Sequence, residues 1–352
     1  MAREIHKLQV ARRAVQMAVV VVLLAIPVVS RYANYLAARE LDKTLVKWDG
    51  TLQGETLALI DSGFRALPGG EKERVGEIVR DREQVLTYTQ GFRGGPWSME
   101  FAGVSMTDPL GAAESVAARK GIDKVLMISL IVPIIATVLL GRVFCSWICP
   151  VGFLLELTEK FRRVLRFLEL RPHNVLFSRA TKYTLLGVGL VMAAWLSVPV
   201  LAYIYPPAIV SREVHDLVFG MFDRAEEGRL GFWAGGLTWM SLLIVGIIVF
   251  ELLISRRWWC RYICPGGALY GLLGALRPVR VKLRESKCTR CADCVAVCPV
   301  GLNPMENRMG IDCDSCGVCI SSCHDDALGY GATRYVKEAP HDFSGTEAVS
   351  PK

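Results

Sequence analysis

The chain has 352 residues, of which 52% are apolar, and its mean hydropathy is +0.34. A mean this high excludes an ordinary soluble protein and predicts several membrane-spanning segments beside a polar portion. The formal net charge is +7, and we expect membrane lipids rather than nucleic acid to meet this charge. The 12 cysteines, absent from residues 1–144 and 150–259, form two pairs and two quartets. This distribution indicates metal ligation and not the disulfide framework of a small secreted chain.

Four stretches are apolar and long enough, at about 20 residues, to cross the hydrocarbon core of a bilayer as helices. They cover about 15–36, 124–141, 183–204 and 235–254. The basic start MAREIHKLQVARR resembles a signal peptide, but no clear small-x-small cleavage site follows it, so we expect a retained anchor.

Basic residues predict the orientation of these spans. The N-terminal segment, residues 142–182 and the residues after the fourth span are rich in Lys and Arg, whereas 205–234 has three Arg and five acids. By the positive-inside rule, both termini are cytoplasmic in a bacterial inner membrane. Residues 38–122 then form a periplasmic insertion.

The chain contains an internal repeat at an offset of 115 residues, in which GRVFCSWICPVG aligns with RRWWCRYICPGG. Each copy is an apolar helix that ends in C-x-x-x-C-P, followed by a short amphipathic helix on the inner surface. Both copies cross in the same direction, which predicts a parallel repeat with a pseudo-two-fold axis along the membrane normal.

The repeat predicts one shared site for its four cysteines, since thiols at i and i+4 lie on one helix face. These are Cys145, Cys149, Cys260 and Cys264. A disulfide does not suit the reducing cytoplasm, and packing does not explain the identical spacing. A third iron–sulfur cluster is the simplest occupant, and zinc stays the alternative.

The C-terminal runs CTRCADCVAVCP and CDSCGVCISSCH have the spacing of a bacterial two-cluster ferredoxin, in which the fourth cysteine of each run binds the other cluster. One predicted [4Fe–4S] cluster is bound by Cys288, Cys291, Cys294 and Cys323. The second is bound by Cys313, Cys316, Cys319 and Cys298. Zinc knuckles would lack the third and fourth cysteines of each run. His324, where proline is usual, is a surface substitution or a hydrogen-bond donor that tunes the cluster.

Paired C-x-x-x-C-P motifs followed by a two-cluster ferredoxin module resemble the membrane ferredoxins of the NapH type, with relatives in MauN and the C-terminal part of NosR. TDPL before the second span also resembles that family, so the resemblance covers about residues 100–330. It implies an electron-transfer subunit of a quinol dehydrogenase-type complex, which links the quinone pool to a periplasmic respiratory reductase or dehydrogenase system. The implied partners are quinone or quinol and a ferredoxin-type or c-type cytochrome subunit.

The chain also departs from that family. Its outside loop is longer than in short NapH-type members and lacks the flavin-attachment motif of the NosR sort. Two other functions therefore stay open. One is a cytoplasmic-side copper reductase or assembly factor for a metalloenzyme, and the other is a membrane protein that senses iron or redox state.

No catalytic residue is assigned by the sequence. Glu251 is the only acid inside a predicted span, and an ion pair with Arg256 or Arg257 is its expected role. His215 and Glu213 in the outer loop could take protons from quinol.

The predicted fold is an α-helical integral membrane protein with four transmembrane helices in two parallel repeats and a C-terminal α+β ferredoxin module. The predicted segments are an N-terminal segment with the first span (1–37), the periplasmic insertion (38–122), the second span with the first thiol motif (123–182), the third and fourth spans (183–254), the second thiol motif (255–284), the two-cluster ferredoxin (285–330) and a polar tail (331–352).

Overall fold

The computed structural model describes residues 2–66, 85–86, 89, 98, 100–101, 104–167, 175, 177–226, 239–306 and 309–332. These residues are mostly helical and cluster into two compact units. The first unit contains Met1–Val19, Thr107–Ile209 and Leu242–Lys352, and the second contains Val20–Met106 and Val210–Ser241. All twelve cysteines belong to the first unit.

The α-helices, in chain order, are α1 Ala2–Ala38, α2 Leu41–Lys47, α3 Leu52–Arg65, α4 Pro109–Arg119, α5 Lys124–Leu140, α6 Val143–Trp147, α7 Pro150–Phe167, α8 Thr181–Leu196, α9 Pro206–Glu226, α10 Trp239–Leu253, α11 Pro265–Leu273, α12 Asp293–Val297 and α13 Val318–Ser321. Short 3₁₀ turns lie at Leu201–Tyr203, Gly274–Leu276, Glu285–Lys287 and Pro304–Glu306, and a π-helical turn lies at Trp259–Ile263. The strands are β1 Glu100–Phe101, β2 Val104–Ser105, β3 Val279–Leu283 and β4 Leu328–Ala332.

The predicted membrane spans match apolar helices of different lengths. Among the described residues, one helical stretch, Leu8–Ala38, is long and apolar enough to cross a membrane. The helices α5, α8 and α10 are apolar but have 17, 16 and 15 residues. At 1.5 Å per residue each is about 23–26 Å long, slightly less than the roughly 30 Å of hydrocarbon. Helix length therefore does not confirm four spans, and the arrangement stays a prediction.

The third predicted span, 183–204, differs from the structure because α8 ends at Leu196. Ser197 follows in the left-handed conformation with φ 56°, and Pro199 lacks the N–H that a continuing helix needs. Leu201 then packs against Gly189, so the chain folds back along α8.

Asp108 and Pro109 begin a separate helix and not the second predicted span. The Asp108 carboxylate accepts a hydrogen bond from the Leu110 N–H at 3.4 Å, and Pro109 occupies the first helical position of α4. The helix of the second span is α5, whose N-cap is Asp123, 3.2 Å from the Val125 nitrogen.

Each thiol motif is a helical turn broken before its second cysteine. Cys145 lies in α6, which ends at Trp147, and Cys149 directly precedes α7. Cys260 lies in the π-helical turn, and Cys264 is the N-cap of α11, with its Sγ 3.4 Å from the Gly267 nitrogen. The expectation that both cysteines share one continuous helix is therefore wrong. The proline after each motif can begin a helix but cannot continue one.

The glycine three residues after each second cysteine lies against its own motif. A Cβ added to Gly152 would lie 2.6 Å from the Cys145 carbonyl oxygen. One added to Gly267 would lie 3.5 Å from the Cys260 carbonyl oxygen and 2.6 Å from Arg142 Nη2. Because a side chain would separate these parts, glycine allows the motif to close on the helix that follows it.

Two strands close the C-terminal module, which has its own core. β3 pairs with β4 in antiparallel register, with Val281 opposite Tyr330. The core contains Val281, Cys294, Cys298, Val300, Leu302, Met309, Cys313, Cys319, Ile320 and Leu328. Several cysteines are thus part of the hydrophobic core.

Two acids on the polar face of α7, Glu156 and Glu159, are paired with arginines, whereas Lys160 of the same helix is exposed. Glu156 Oε1 lies 2.8 Å from Arg12 Nη1. Glu159 accepts hydrogen bonds from Arg257 Nε at 2.6 Å and from Arg256 Nη2 at 2.9 Å. The expected inner-surface helix is therefore bound into the first unit by ion pairs.

Glu251 accepts a hydrogen bond from the Trp259 N–H at 2.9 Å and is 1% exposed. The arginines expected to pair with it, Arg256 and Arg257, contact Glu159 most closely. Glu251 instead holds the start of the second thiol motif.

The second unit has an aromatic core without cysteine. Trp48 lies between Tyr35 and Phe222, with ring centroids 6.0 and 5.8 Å away. The charged stretch EKERVGEIVRDREQVLTYTQ, residues 71–90 of the insertion, has the pattern of an amphipathic helix but falls mostly outside the described residues, as do 227–238 and the tail from 333 onward.

We expect Glu159→Gln to destabilise the detergent-solubilised protein by about 2 kcal/mol at neutral pH, because Arg256 and Arg257 lose a charged acceptor. Burial alone would raise the pKa of Glu159, but Arg257 and Arg256 outweigh it and lower the pKa below 4.5. The carboxylate therefore stabilises the fold above pH 4.5, and this contribution is lost as the pH falls further. Thermal unfolding should show a gap between wild type and variant that narrows in acid. The exposed Glu285→Gln serves as control, and a gap independent of pH would contradict the assignment.

We expect Gly152→Ala to destabilise the protein by about 1–3 kcal/mol, because the new methyl group meets a backbone carbonyl that cannot move freely. Gly187→Ala in α8 is the matched control, since nothing lies within 4 Å of its added Cβ. Thermal unfolding in detergent measures both variants, and equal losses would show that the close approach at Gly152 carries no cost.

Candidate metal centres

The second set of predicted cluster ligands surrounds one cavity, which we call the Cys313 cavity. Its lining includes all four cysteines assigned to the second cluster, Cys298, Cys313, Cys316 and Cys319. Each of these is only 5–7% exposed. The remaining lining is mainly apolar, with Val281, Val300, Leu302 and Met309.

The first set of predicted ligands surrounds another cavity, the Cys288 cavity. It is lined by Cys288, Cys291, Cys294 and Cys323 among other residues. Cys291 is exposed, Cys288 and Cys323 are half-buried, and Cys294 is buried. The structure therefore brings Cys298 to the second run and Cys323 to the first, in the crosswise pattern that the spacing predicts.

A repeated backbone pattern places these cysteines. In both runs the residues on either side of the second cysteine have a left-handed backbone. The φ angles are 56° and 64° at Arg290 and Ala292, and 54° and 71° at Ser315 and Gly317. Alternation with left-handed residues turns successive N–H groups to one side, which forms the anion-binding nests found at many iron–sulfur sites. Short helices then carry Cys294 and Cys319 into the core.

Backbone N–H groups also donate to the sulfurs. The Leu302 N–H donates to Cys298 Sγ at 3.3 Å, and the Ala327 N–H donates to Cys323 Sγ at 3.3 Å. Such donors stabilise negative charge on sulfur, and they are one of the means by which proteins set the potential of an iron–sulfur cluster.

The donor sets fit [4Fe–4S] clusters better than single metal ions. Within the described residues, no three His, Cys, Asp or Glu side chains converge closely enough to hold one ion. The four sulfurs around a cluster stand further apart, because each binds a different iron. Burial raises the pKa of Cys313 to about 11, with Arg277 opposing and Asp314 adding to the rise. A thiolate at this position therefore needs a compensating positive charge, which a bound metal supplies.

The four cysteines of the two C-x-x-x-C-P motifs, which we call the thiol quartet, also come together. Burial is the largest cause of a raised pKa at each of them, and at Cys149, Cys260 and Cys264 a thiol of the opposite repeat adds to it. Cys264 raises the pKa of Cys149, and Cys149 raises the pKa of Cys260. Cys145 raises the pKa of Cys264, which burial and this effect bring to about 12. The thiols of the two repeats thus lie within electrostatic range of one another.

Each motif brings a buried arginine to the quartet. Burial raises the pKa of these thiols, but Arg142 opposes the rise at Cys145 and Cys264, and Arg257 opposes it at Cys260. Both arginines are at most 6% exposed. Buried cations beside thiols favour the thiolate form, which is the form that binds metals.

The structure gives each of the other candidates contacts of its own. His215 stacks on Phe219 with ring centroids 4.3 Å apart, and Glu213 accepts a hydrogen bond from the Ser241 hydroxyl, all within the second unit. His324 is exposed, and its Nε2 lies 4.0 Å from Asp293 Oδ2, which suits a surface substitution.

Sequence reasoning missed Asp312 and Asp314, the acids on either side of Cys313. Asp312 pairs with Arg142 at 3.3 Å, with Arg179 at 3.3 Å and with Lys182. Their pairing with arginine could have been predicted from the two acids in IDCDSC, which lie directly beside a predicted ligand, and from the arginine that precedes each thiol motif.

Comparison with known proteins finds a match at the two segments that carry the thiol motifs. The model of a family described as "4Fe-4S binding domain" matches residues 123–167 and again residues 237–284, and the two matches contain the thiol quartet. No solved structure matches the chain.

Curated relatives match much of the chain. The ferredoxin-type protein NapH of Haemophilus influenzae is 30% identical over 244 residues, which cover 66% of this chain and 77% of that protein. NapH of Escherichia coli is 30% identical over 67% of this chain and 83% of that protein. The methylamine utilization ferredoxin-type protein MauN of Methylobacillus flagellatus is 28% identical over 55% of this chain and 61% of that protein. The chain therefore belongs to the family of NapH- and MauN-type ferredoxins, as its motifs predict.

Proposed function

We propose that this protein is a membrane-bound iron–sulfur electron-transfer subunit that oxidises quinol and passes the electrons, through partner proteins, to a periplasmic respiratory reductase or dehydrogenase system. The observation that carries the proposal is the pair of cavities in one small module, each lined by four cysteines. A further relative, 26% identical over 56% of this chain, is called "Putative electron transport protein YccM". Electron transfer by iron–sulfur sites is the function that fits both.

The cysteines of the two cavities would hold the clusters. When bound, a [4Fe–4S] cluster supplies one-electron transfer at a potential set by hydrogen bonds to sulfur and by solvent exposure. The Leu302 and Ala327 amides contribute to that setting, because each donates to a cysteine sulfur. The apolar lining of the Cys313 cavity keeps water away from the sulfurs.

We propose a third iron–sulfur site at the thiol quartet, with zinc as the alternative occupant. Support comes from the electrostatic contact of thiols across the repeats and from the two arginines beside them. The family model described as 4Fe-4S binding also matches both motif segments.

We further propose the four-span topology with both termini in the cytoplasm. In this arrangement the thiol quartet and the ferredoxin module meet at the inner surface of the membrane. Support comes from the basic residues that flank the spans and from the apolar character of α1, α5, α8 and α10.

Iron counting tests the third site. We expect about 12 irons per chain in anaerobically purified protein, and about 8 in the double variant Cys145→Ser, Cys260→Ser, because each [4Fe–4S] cluster contains four irons. Cys291→Ser calibrates the measurement, since it removes a ligand of a different site. About 8 irons in both wild type and double variant, with zinc present only in wild type, would assign the quartet to zinc instead.

Reduction by quinol tests the proposed function. We expect a short-chain quinol, added anaerobically to the protein with its natural membrane partners, to produce the EPR signal of reduced clusters. The matched control is the same addition of the oxidised quinone, which should produce no signal. If quinol reduces no cluster while dithionite does, electron entry from quinol is excluded.

A further inference from the structure

The loop of residues 310–316, which contains Cys313, is bound to both thiol motifs. The Ser146 hydroxyl donates to the Asp314 carbonyl oxygen at 2.7 Å. Arg277, which follows the second motif, donates to the carbonyl oxygens of Cys313 and Gly310 at 2.9 Å each. The loop is therefore held through its backbone by residues from both repeats.

Two arginines at equivalent positions of the repeat bind the acids on either side of Cys313. Arg142 donates to the Asp312 carbonyl oxygen at 3.0 Å and lies 3.3 Å from its carboxylate. Arg257, 115 residues later, lies 3.7 Å from the Asp314 carboxylate. Each repeat thus contributes one buried cation to the same short loop, so that Cys313 lies between them.

The hydrogen bond from Ser146 to Asp314 is a short connection between the thiol quartet and the Cys313 cavity. Ser146 is the neighbour of Cys145 in the chain, and Asp314 is the neighbour of Cys313. The hydrogen bond between Ser146 and Asp314 therefore joins two residues that each adjoin a proposed ligand.

The Cys288 cavity has a different environment. Both cavities are lined by residues of the module itself, but only the Cys313 cavity includes the loop that accepts a hydrogen bond from Ser146 of the first thiol motif. Cys291 and Thr289 of the Cys288 cavity are exposed, whereas the four cysteines of the Cys313 cavity are all buried. One cavity therefore faces the thiol motifs and the other faces solvent.

The two cavities are joined by short helices. Cys294 lies in α12, and Cys298 directly follows that helix, so about one helical turn separates a ligand of one cavity from a ligand of the other. Cys319 in α13 and Cys323 are related in the same way. Electrons can pass between the two sites without a further redox group.

We infer that the redox sites act in a fixed order, with the Cys313 site exchanging electrons with the thiol motifs and the Cys288 site exchanging electrons with soluble partners. The inference rests on the proposed function in that clusters occupy both cavities. Arg142 and Arg257 set the order, because they hold the Cys313 loop on the motifs and leave the Cys288 face open.

The test uses dithionite-reduced full-length protein in nanodiscs, freed of excess dithionite and mixed with ferricyanide. Each ferricyanide takes one electron from the Cys288 site to become ferrocyanide, and one electron from the Cys313 site then re-reduces the Cys288 site. We expect both EPR signals to disappear in one fast phase in wild type. In Cys291→Ser, with Cys288→Ser as a second variant, the Cys313 signal should remain and its oxidation should lose the fast phase.

A second measurement on wild-type protein needs no variant to fold. A soluble gadolinium chelate should broaden the signal of the Cys288 site strongly and that of the Cys313 site weakly. Equal broadening, oxidation of the Cys313 site that stays fast in both variants, or the absence of two clusters would overturn the inferred order. Because dithionite supplies the electrons, a failed quinol assay with this order intact would count against the proposed function alone.

Discussion

The first unit depends on the ion pairs that the buried guanidinium of Arg257 makes with three acids. The guanidinium lies 2.6 Å from Glu159 and 3.5 Å from Glu156 on α7, and 3.7 Å from Asp314 in the ferredoxin module. These three acids come from the first repeat and from the C-terminal module, while Arg257 belongs to the second repeat. A buried charge is tolerated only when it is paired, so one side chain requires three distant parts of the chain to meet. Burial raises the pKa of the Cys260 thiol, and the same side chain opposes that rise.

The two thiol motifs share a sequence pattern but have taken on different contacts. In the first, Ser146 directs its hydroxyl to the Asp314 carbonyl oxygen. In the second, the turn is π-helical and Glu251 accepts the Trp259 N–H. A π-helical turn is rare and often lies at a functional site. The first motif therefore contacts the ferredoxin module through Ser146, whereas the second contacts it through the preceding Arg257 and is also tied to the end of its own apolar helix.

The crosswise grouping of the ferredoxin cysteines was predictable, because ligand spacing is a local property of the chain and the structure gathers the same residues around each cavity. The residues that pair with the acids of α7 could not be predicted from the sequence. Its pattern correctly predicts an amphipathic helix, but a polar face can meet solvent, lipid headgroups or protein with equal ease. Glu156 meets Arg12, 144 residues away, and Glu159 meets Arg257, 98 residues away. Similarly, Asp108 is a good helix cap, yet it caps α4 and not the apolar helix after it.

The arginines that hold the Cys313 loop also bear on how easily its site accepts an electron. Burial among apolar residues opposes an added negative charge, as the raised pKa of Cys313 shows. Arg277 opposes that effect at Cys313, and its guanidinium donates to the Cys313 carbonyl oxygen at 2.9 Å. In a medium of low dielectric constant, a nearby cation stabilises added negative charge far more than it would in water. The same buried cations beside Cys313 therefore hold the loop in place and stabilise negative charge added at its site.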